Sequence, residues 1–122
     1  MEEGRPSTTS MIAARIHAAH LLWDDAPKIF QDPLALGLSG VESPGASQAT
    51  RRTMQDIYAG VLVRQRYAED ELATAVNRGV GQYVILGAGL DSLAYRRPDL
   101  ATLLRVFEVD HPATQQWKCA RL

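Results

Sequence analysis

Two glycines and two carboxylates carry the clearest chemistry in this sequence. Gly87 and Gly89 stand in the run Leu86-Gly87-Ala88-Gly89-Leu90-Asp91-Ser92, just after the apolar stretch Gln82-Tyr83-Val84-Ile85-Leu86. A glycine at such a junction lets the backbone turn with positive φ and leaves no Cβ between the main chain and a ligand. The helix that follows offers free N–H groups and a positive dipole end, suited to a carboxylate or phosphate. Glu108 and Asp110 lie about 20 residues further on, where an acid ending the second strand accepts hydrogen bonds from ribose hydroxyls. Asp110, beyond the last strand residue, is the first choice and Glu108 the second. Side chains alternate along a strand, so the two share a face only while the chain stays extended. The pattern is that of a nucleotide site.

Glycine is common in any tight strand-to-helix turn, so Gly-Ala-Gly alone is a weak signal. The dinucleotide form of the fingerprint also expects a third glycine where Ser92 stands. A ligand with an adenosine and an amino-acid tail fits at least as well. Its ribose would meet Asp110, and its carboxylate could meet Arg64. That arginine interrupts an apolar stripe of Met54, Ile57, Tyr58, Val61, Ala68, Leu72 and Val76. Burying a guanidinium costs several kcal/mol unless it is paired, so Arg64 either snorkels, meets an internal carboxylate or serves a ligand. His17, His20 and His111 have ordinary explanations and no ligand spacing with Cys119, so no metal and no catalytic base are assigned.

The elements that must position these groups are helices around a βαβ unit. Thr8, Thr9 and Ser10 are N-cap candidates for an Ala-rich helix reaching about Trp23, broken by Asp24, Asp25 and Pro27. Residues 28–40 read as a short helix with Asp32 and Pro33 at its start and Gly40 past its end. Residues 41–50 read as a polar, mobile loop. A longer helix follows from about Arg51 to Asn77, with Gly79 as its stop. The run 82–86 reads as a strand buried on both faces, and 104–109 as its parallel partner. Between them a short helix from Asp91 to about Arg97 is closed by Pro98, and a last helix begins at His111-Pro112.

A chain of 122 residues with 46% hydrophobic and 22% charged residues suits one modest globular domain. A net charge of −1 gives no electrostatic footprint for nucleic acid. No apolar run approaches a membrane span, MEEGRPSTTS does not read as a signal peptide, and one cysteine suits a reducing compartment. A cytoplasmic location without membrane or nucleic-acid partners is expected.

The residues 84–92, then Ala94-Tyr95-Arg96, then Val106-Phe107-Glu108-Val109-Asp110-His111-Pro112 with Lys118 beyond, resemble the leucine carboxyl methyltransferase family. The closer similarity is to its bacterial branch of S-adenosylmethionine-dependent O-methyltransferases. Ala13-Ala14-Arg15-Ile16-His17, Phe30-Gln31-Asp32-Pro33-Leu34-Ala35 and Arg64-Gln65-Arg66 extend the match over nearly the whole chain. Cys119 departs from the arginine expected after Lys118.

The resemblance implies an α/β class: the N-terminal part of a class I, Rossmann-like methyltransferase fold. Residues 1–50 would be a helical N-terminal extension, and 51–122 the first, truncated part of the cofactor domain, a βαβα unit. It implies S-adenosylmethionine as cofactor, with Arg64 on the methionine carboxylate (Arg66 as fallback), Gly87 and Gly89 at the turn, and Asp110 on the ribose. The acceptor would be a carboxylate or hydroxyl on a small molecule or peptide. Family members are about twice this long, so the chain is expected to be partial, with exposed apolar surface and doubtful activity by itself. The competing readings are an NAD(P)-binding oxidoreductase fragment and a non-catalytic remnant that binds a partner.

Overall fold

The computed structural model describes residues 4–40 and 44–122. Its elements run α1 (Thr8–Trp23), α2 (Ala35–Leu38), α3 (Pro44–Thr53), α4 (Gln55–Asn77), β1 (Gln82–Leu86), α5 (Leu93–Arg96), α6 (Pro98–Ala101), β2 (Arg105–Val109) and α7 (Pro112–Arg121). The two strands pair in parallel, with Gln82 opposite Arg105 and Leu86 opposite Val109. A small parallel sheet with helices packed on one face is the observed architecture.

The N-cap of α1 lies one residue before the expected candidates. Ser7 is the N-cap, and its Oγ accepts from the Ser10 N–H at 3.2 Å. The helix is apolar nearly all round and is buried accordingly. On one side Ala14 packs with Leu38 and Leu90; on another Ile16 packs with Phe30 and Leu62. A third cluster, Leu72, Leu93, Leu100 and Leu104, joins α4 to the crossover between the strands.

Several expected boundaries shift. The short helix in 28–40 shrinks to Ala35–Leu38, because Asp32 Oδ1 takes the Leu34 N–H and forms a local turn. Gly40 follows at φ +71°. Of the expected loop 41–50, residues 41–43 lie outside the described residues, whereas Pro44 onward is helical as α3. The long helix therefore starts at Gln55, after a break at Met54, and ends as expected before Gly79, at φ +97°. Pro98 does not simply close the crossover helix. It takes the first position of a second one, α6, where its missing N–H costs nothing.

The largest correction concerns the sheet. Both strands bury only alternate residues. Tyr83, Ile85, Val106 and Glu108 are partly covered, while Val84, Leu86, Phe107 and Val109 are exposed, Leu86 at 79%. A parallel strand buried on both faces needs helices on both sides, and the described residues supply only one layer. The expected exposed apolar surface is this face.

Candidate functional site

The glycine turn is anchored to the end of β2. The N–H groups of Gly87 and Ala88 both donate to the Val109 carbonyl, at 2.8 and 3.1 Å. The Gly89 N–H donates to Asp110 Oδ2 at 2.6 Å, and Asp110 Oδ1 takes the His111 N–H at 2.6 Å. An ionised carboxylate has about four lone-pair sites, so Asp110 keeps capacity for two more donors at the mouth of the sheet.

Gly87 and Gly89 are glycines for different reasons. Both have positive φ, +65° and +55°. A Cβ on Gly87 would meet nothing within 4 Å, so its open side is free for close approach by a ligand. A Cβ on Gly89 would sit 2.7 Å from Ser10 Oγ on α1, so this glycine serves helix packing.

A cavity of about 350 Å³ lies between α1, α4 and the turn. Its walls include His17, Arg64, Gln65, Gly87, Gly89 and Asp91. Three of the four cofactor-binding candidates thus share one cavity, and Asp110 adjoins it through the Gly89 N–H. Arg64 is exposed and, among the described residues, makes no hydrogen bond or ion pair. Arg66 faces elsewhere: it bonds Asp70 and the Ile29 carbonyl, beside a second cavity of about 450 Å³. It is committed to structure.

Glu108, the second choice for the ribose, is tied down through one oxygen, while its Oε1 is buried without a partner among the described residues. It projects to the covered face of the sheet, and its Oε2 lies 2.7 Å from Nζ of the fully buried Lys118. The same ammonium donates to the Asp91 carbonyl at 3.0 Å, so the pair braces the glycine turn from below.

A buried polar network that sequence reasoning missed lies behind the cavity. Arg96 grips Glu69 with two bonds, 2.9 and 2.5 Å, and donates to Ser92 Oγ at 2.9 Å. Ser92 donates in turn to Asp32 at 2.8 Å, and Gln65 donates to both Glu69 and Asp91. The position where a dinucleotide fingerprint expects glycine is therefore a buried anchor. Leu62, Glu69 and Leu72 are the inner residues of α4; of the expected stripe Leu72 is buried, while Ile57 and Ala68 are exposed. The signal for Glu69 was present: it lies seven residues after Leu62 and three before Leu72.

His17 was given an ordinary explanation, and the structure gives it an unusual one. Its ring packs edge-on against Phe30, and Nδ1 faces Asp32 at 3.9 Å. Nε2 is buried with no hydrogen-bond partner among the described residues. Burial holds the imidazole below its ordinary pKa of 6.5, against the pull of the Asp32, Asp91 and Glu69 carboxylates. Among the described residues no cluster could hold a metal, and no helix is long and apolar enough to cross a membrane.

Comparison with known proteins points in one direction. The family model for leucine carboxyl methyltransferase matches residues 10–122. A Bacillus subtilis (strain 168) protein named "Putative S-adenosyl-L-methionine-dependent methyltransferase YktD" is 34% identical, over all of this chain and 48% of its own length. Proteins of the same description from Frankia alni and Streptomyces coelicolor are 37% and 35% identical, over 84% and 93% of this chain and 37% and 42% of their own lengths. The chain thus spans about half, or less, of the curated relatives it matches. Nothing in these matches supports the oxidoreductase or the non-catalytic reading. The chain belongs to the leucine carboxyl methyltransferase family.

Proposed function

We propose that this chain carries the cofactor-binding part of an S-adenosylmethionine-dependent methyltransferase that transfers the methyl group to an oxygen acceptor. The observation that carries the reading is the cavity itself. It joins an arginine without a partner among the described residues to a glycine turn open where a side chain would stand. About 350 Å³ falls in the range of small-molecule sites. The residues present fit the cofactor: a cation for a carboxylate, an open main-chain surface and an acid with spare acceptor capacity.

In this reading Arg64 binds the methionine carboxylate, which explains a guanidinium in the position it holds on α4. Gly87 admits the cofactor against the backbone, Gly89 keeps the turn seated on α1, and Asp110 accepts from the ribose hydroxyls. The bound cofactor supplies a methyl group on a sulfonium, ready for in-line displacement. The chain's part is to hold it in one orientation in a cavity walled by α1. The fold assignment that follows is the N-terminal portion of a class I, Rossmann-like domain over 51–122, with 1–50 as its helical extension. The acceptor is a carboxylate or hydroxyl on a small molecule or peptide; a carboxylate needs no general base near neutral pH.

Titration calorimetry of the 122-residue chain with S-adenosylmethionine, S-adenosylhomocysteine and NAD tests the reading. Binding of the first two at one site, with no heat from NAD, is expected. A preference for NAD would overturn it.

A further inference from the structure

We propose that Arg96 is a positioning residue that fixes the span of the cavity, holding the glycine turn at a set distance from Arg64 on α4. The inference rests on the cofactor reading above and concerns a residue that touches no cofactor in it.

The two ends of the cavity belong to different elements. Arg64, Gln65 and Ala68 come from α4, and residues 87–91 from the turn. The apolar cluster that joins α4 to the crossover reaches α4 no nearer than Leu72, about two helical turns from Gln65. At the level of the cavity the link is polar. Gln65 Nε2 donates to Asp91 Oδ2 at 3.1 Å and to Glu69 Oε2 at 2.8 Å, which uses both of its N–H groups.

Those bonds are one side of a closed ring. Glu69 is held by Arg96 through both oxygens, at 2.9 and 2.5 Å. Arg96 Nε donates to Ser92 Oγ at 2.9 Å, and Ser92 follows Asp91 in the chain. The path therefore runs Asp91, Gln65, Glu69, Arg96, Ser92 and back to Asp91 through one peptide bond. Arg96 joins the two arms, and its guanidinium lies over the Phe30 ring, 4.6 Å from the centroid.

Burial makes the ring stiff. The Arg96 and Glu69 side chains are 7% and 4% exposed, so water does not compete for these bonds. A buried ion pair adds little net stability over packed apolar side chains. Its particular contribution is direction, because a two-point bond fixes the plane of both partners. Asp32 lies 3.8 Å from Arg96 Nε and takes the Ser92 hydroxyl at 2.8 Å, so the second arm is braced as well. A ligand that reaches from Arg64 to the turn needs both ends held at its own length. The ring is the device that holds them.

Calorimetry on the 122-residue chain compares S-adenosylhomocysteine with methylthioadenosine, which keeps the nucleoside and thioether but lacks the amino-acid tail. Only the first spans the cavity. In Arg96→Lys, which keeps a cation beside Glu69 but loses the two-point bond, affinity for S-adenosylhomocysteine should fall roughly tenfold, the scale of a charge-assisted bond. Affinity for methylthioadenosine should stay at the wild-type value, since that ligand does not reach Arg64. Glu69→Gln should give the same pattern. Its amide sets an N–H against those of Gln65 or Arg96, while Asp32 remains near Arg96 as a counter-charge. Circular dichroism reports whether each variant is folded.

Equal losses for the two ligands in a folded Arg96→Lys variant, or no loss for either, overturn the proposal. Should that variant not fold, Glu69→Gln is judged by the same two outcomes. If neither variant folds, Arg96 serves the fold alone and the proposal is overturned. A wild type that binds neither ligand defeats the cofactor reading itself, a result distinct from these.

Discussion

Arg64 shows how a residue can be read from its misfit. In the sequence it is a cation in an apolar stripe; in the structure it is exposed, without an ion pair among the described residues, at the wall of the cavity. Its neighbour two positions on is the useful contrast, since Arg66 spends its donors on Asp70 and the Ile29 carbonyl. Replacing Arg64 by methionine should therefore leave stability within about 0.5 kcal/mol, as expected for an exposed side chain without partners. Affinity for S-adenosylhomocysteine should fall by roughly tenfold to a hundredfold, the worth of a charge-assisted bond. Thermal unfolding and calorimetry on the same sample separate the two effects. A large loss of stability with unchanged affinity would assign Arg64 to the fold and reopen the carboxylate site.

Gly89 belongs to the scale of elements, because it is the point where the turn touches α1. Alanine at 89 adds a Cβ 2.7 Å from Ser10 Oγ and also occupies a backbone with φ +55°. Alanine at 87 meets only the second penalty, at φ +65° with open space beside it. A left-handed residue costs about 1–2 kcal/mol, so Gly87→Ala should lose that much and Gly89→Ala more. Ser10→Ala in the Gly89→Ala background should recover part of the excess, since it removes the hydroxyl that the new Cβ strikes but leaves Ser10 Cβ 3.3 Å away. Denaturant unfolding of the set checks the order; equal losses at 87 and 89 would mean that α1 moves aside freely. The same contact explains what could be read in advance. The strand, the turn and the second strand were legible because glycine and acid sit at fixed offsets along the chain. The seat of the turn was not, because Ser10 and Lys118 reach it from helices at opposite ends of the sequence. Nor was the α4 face: a stripe drawn from apolar residues alone passes over Glu69, which is buried because Arg96 neutralises it.

At the scale of the whole molecule the two faces of the sheet differ in kind. One is sealed by α4 and the crossover through Leu72, Leu93, Leu100 and Leu104. The other exposes Val84, Leu86, Phe107 and Val109 side by side, because parallel partners bring 84 opposite 107 and 86 opposite 109. Alternation along each strand turns these four to one side, so they form one patch rather than scattered exposures. A contiguous apolar patch of this sort binds hydrophobic dyes and promotes association. The double variant Leu86→Thr, Phe107→Thr keeps β-formers in both strands while removing much of the apolar area. It should bind less anilinonaphthalene sulfonate than the wild type and stay monomeric to higher concentration in analytical ultracentrifugation. Its unfolding free energy should change little, because neither side chain is buried against the core. A marked loss of stability would instead mean that this face is packed in solution, and that the exposed sheet surface is covered by contacts among the chain's own elements.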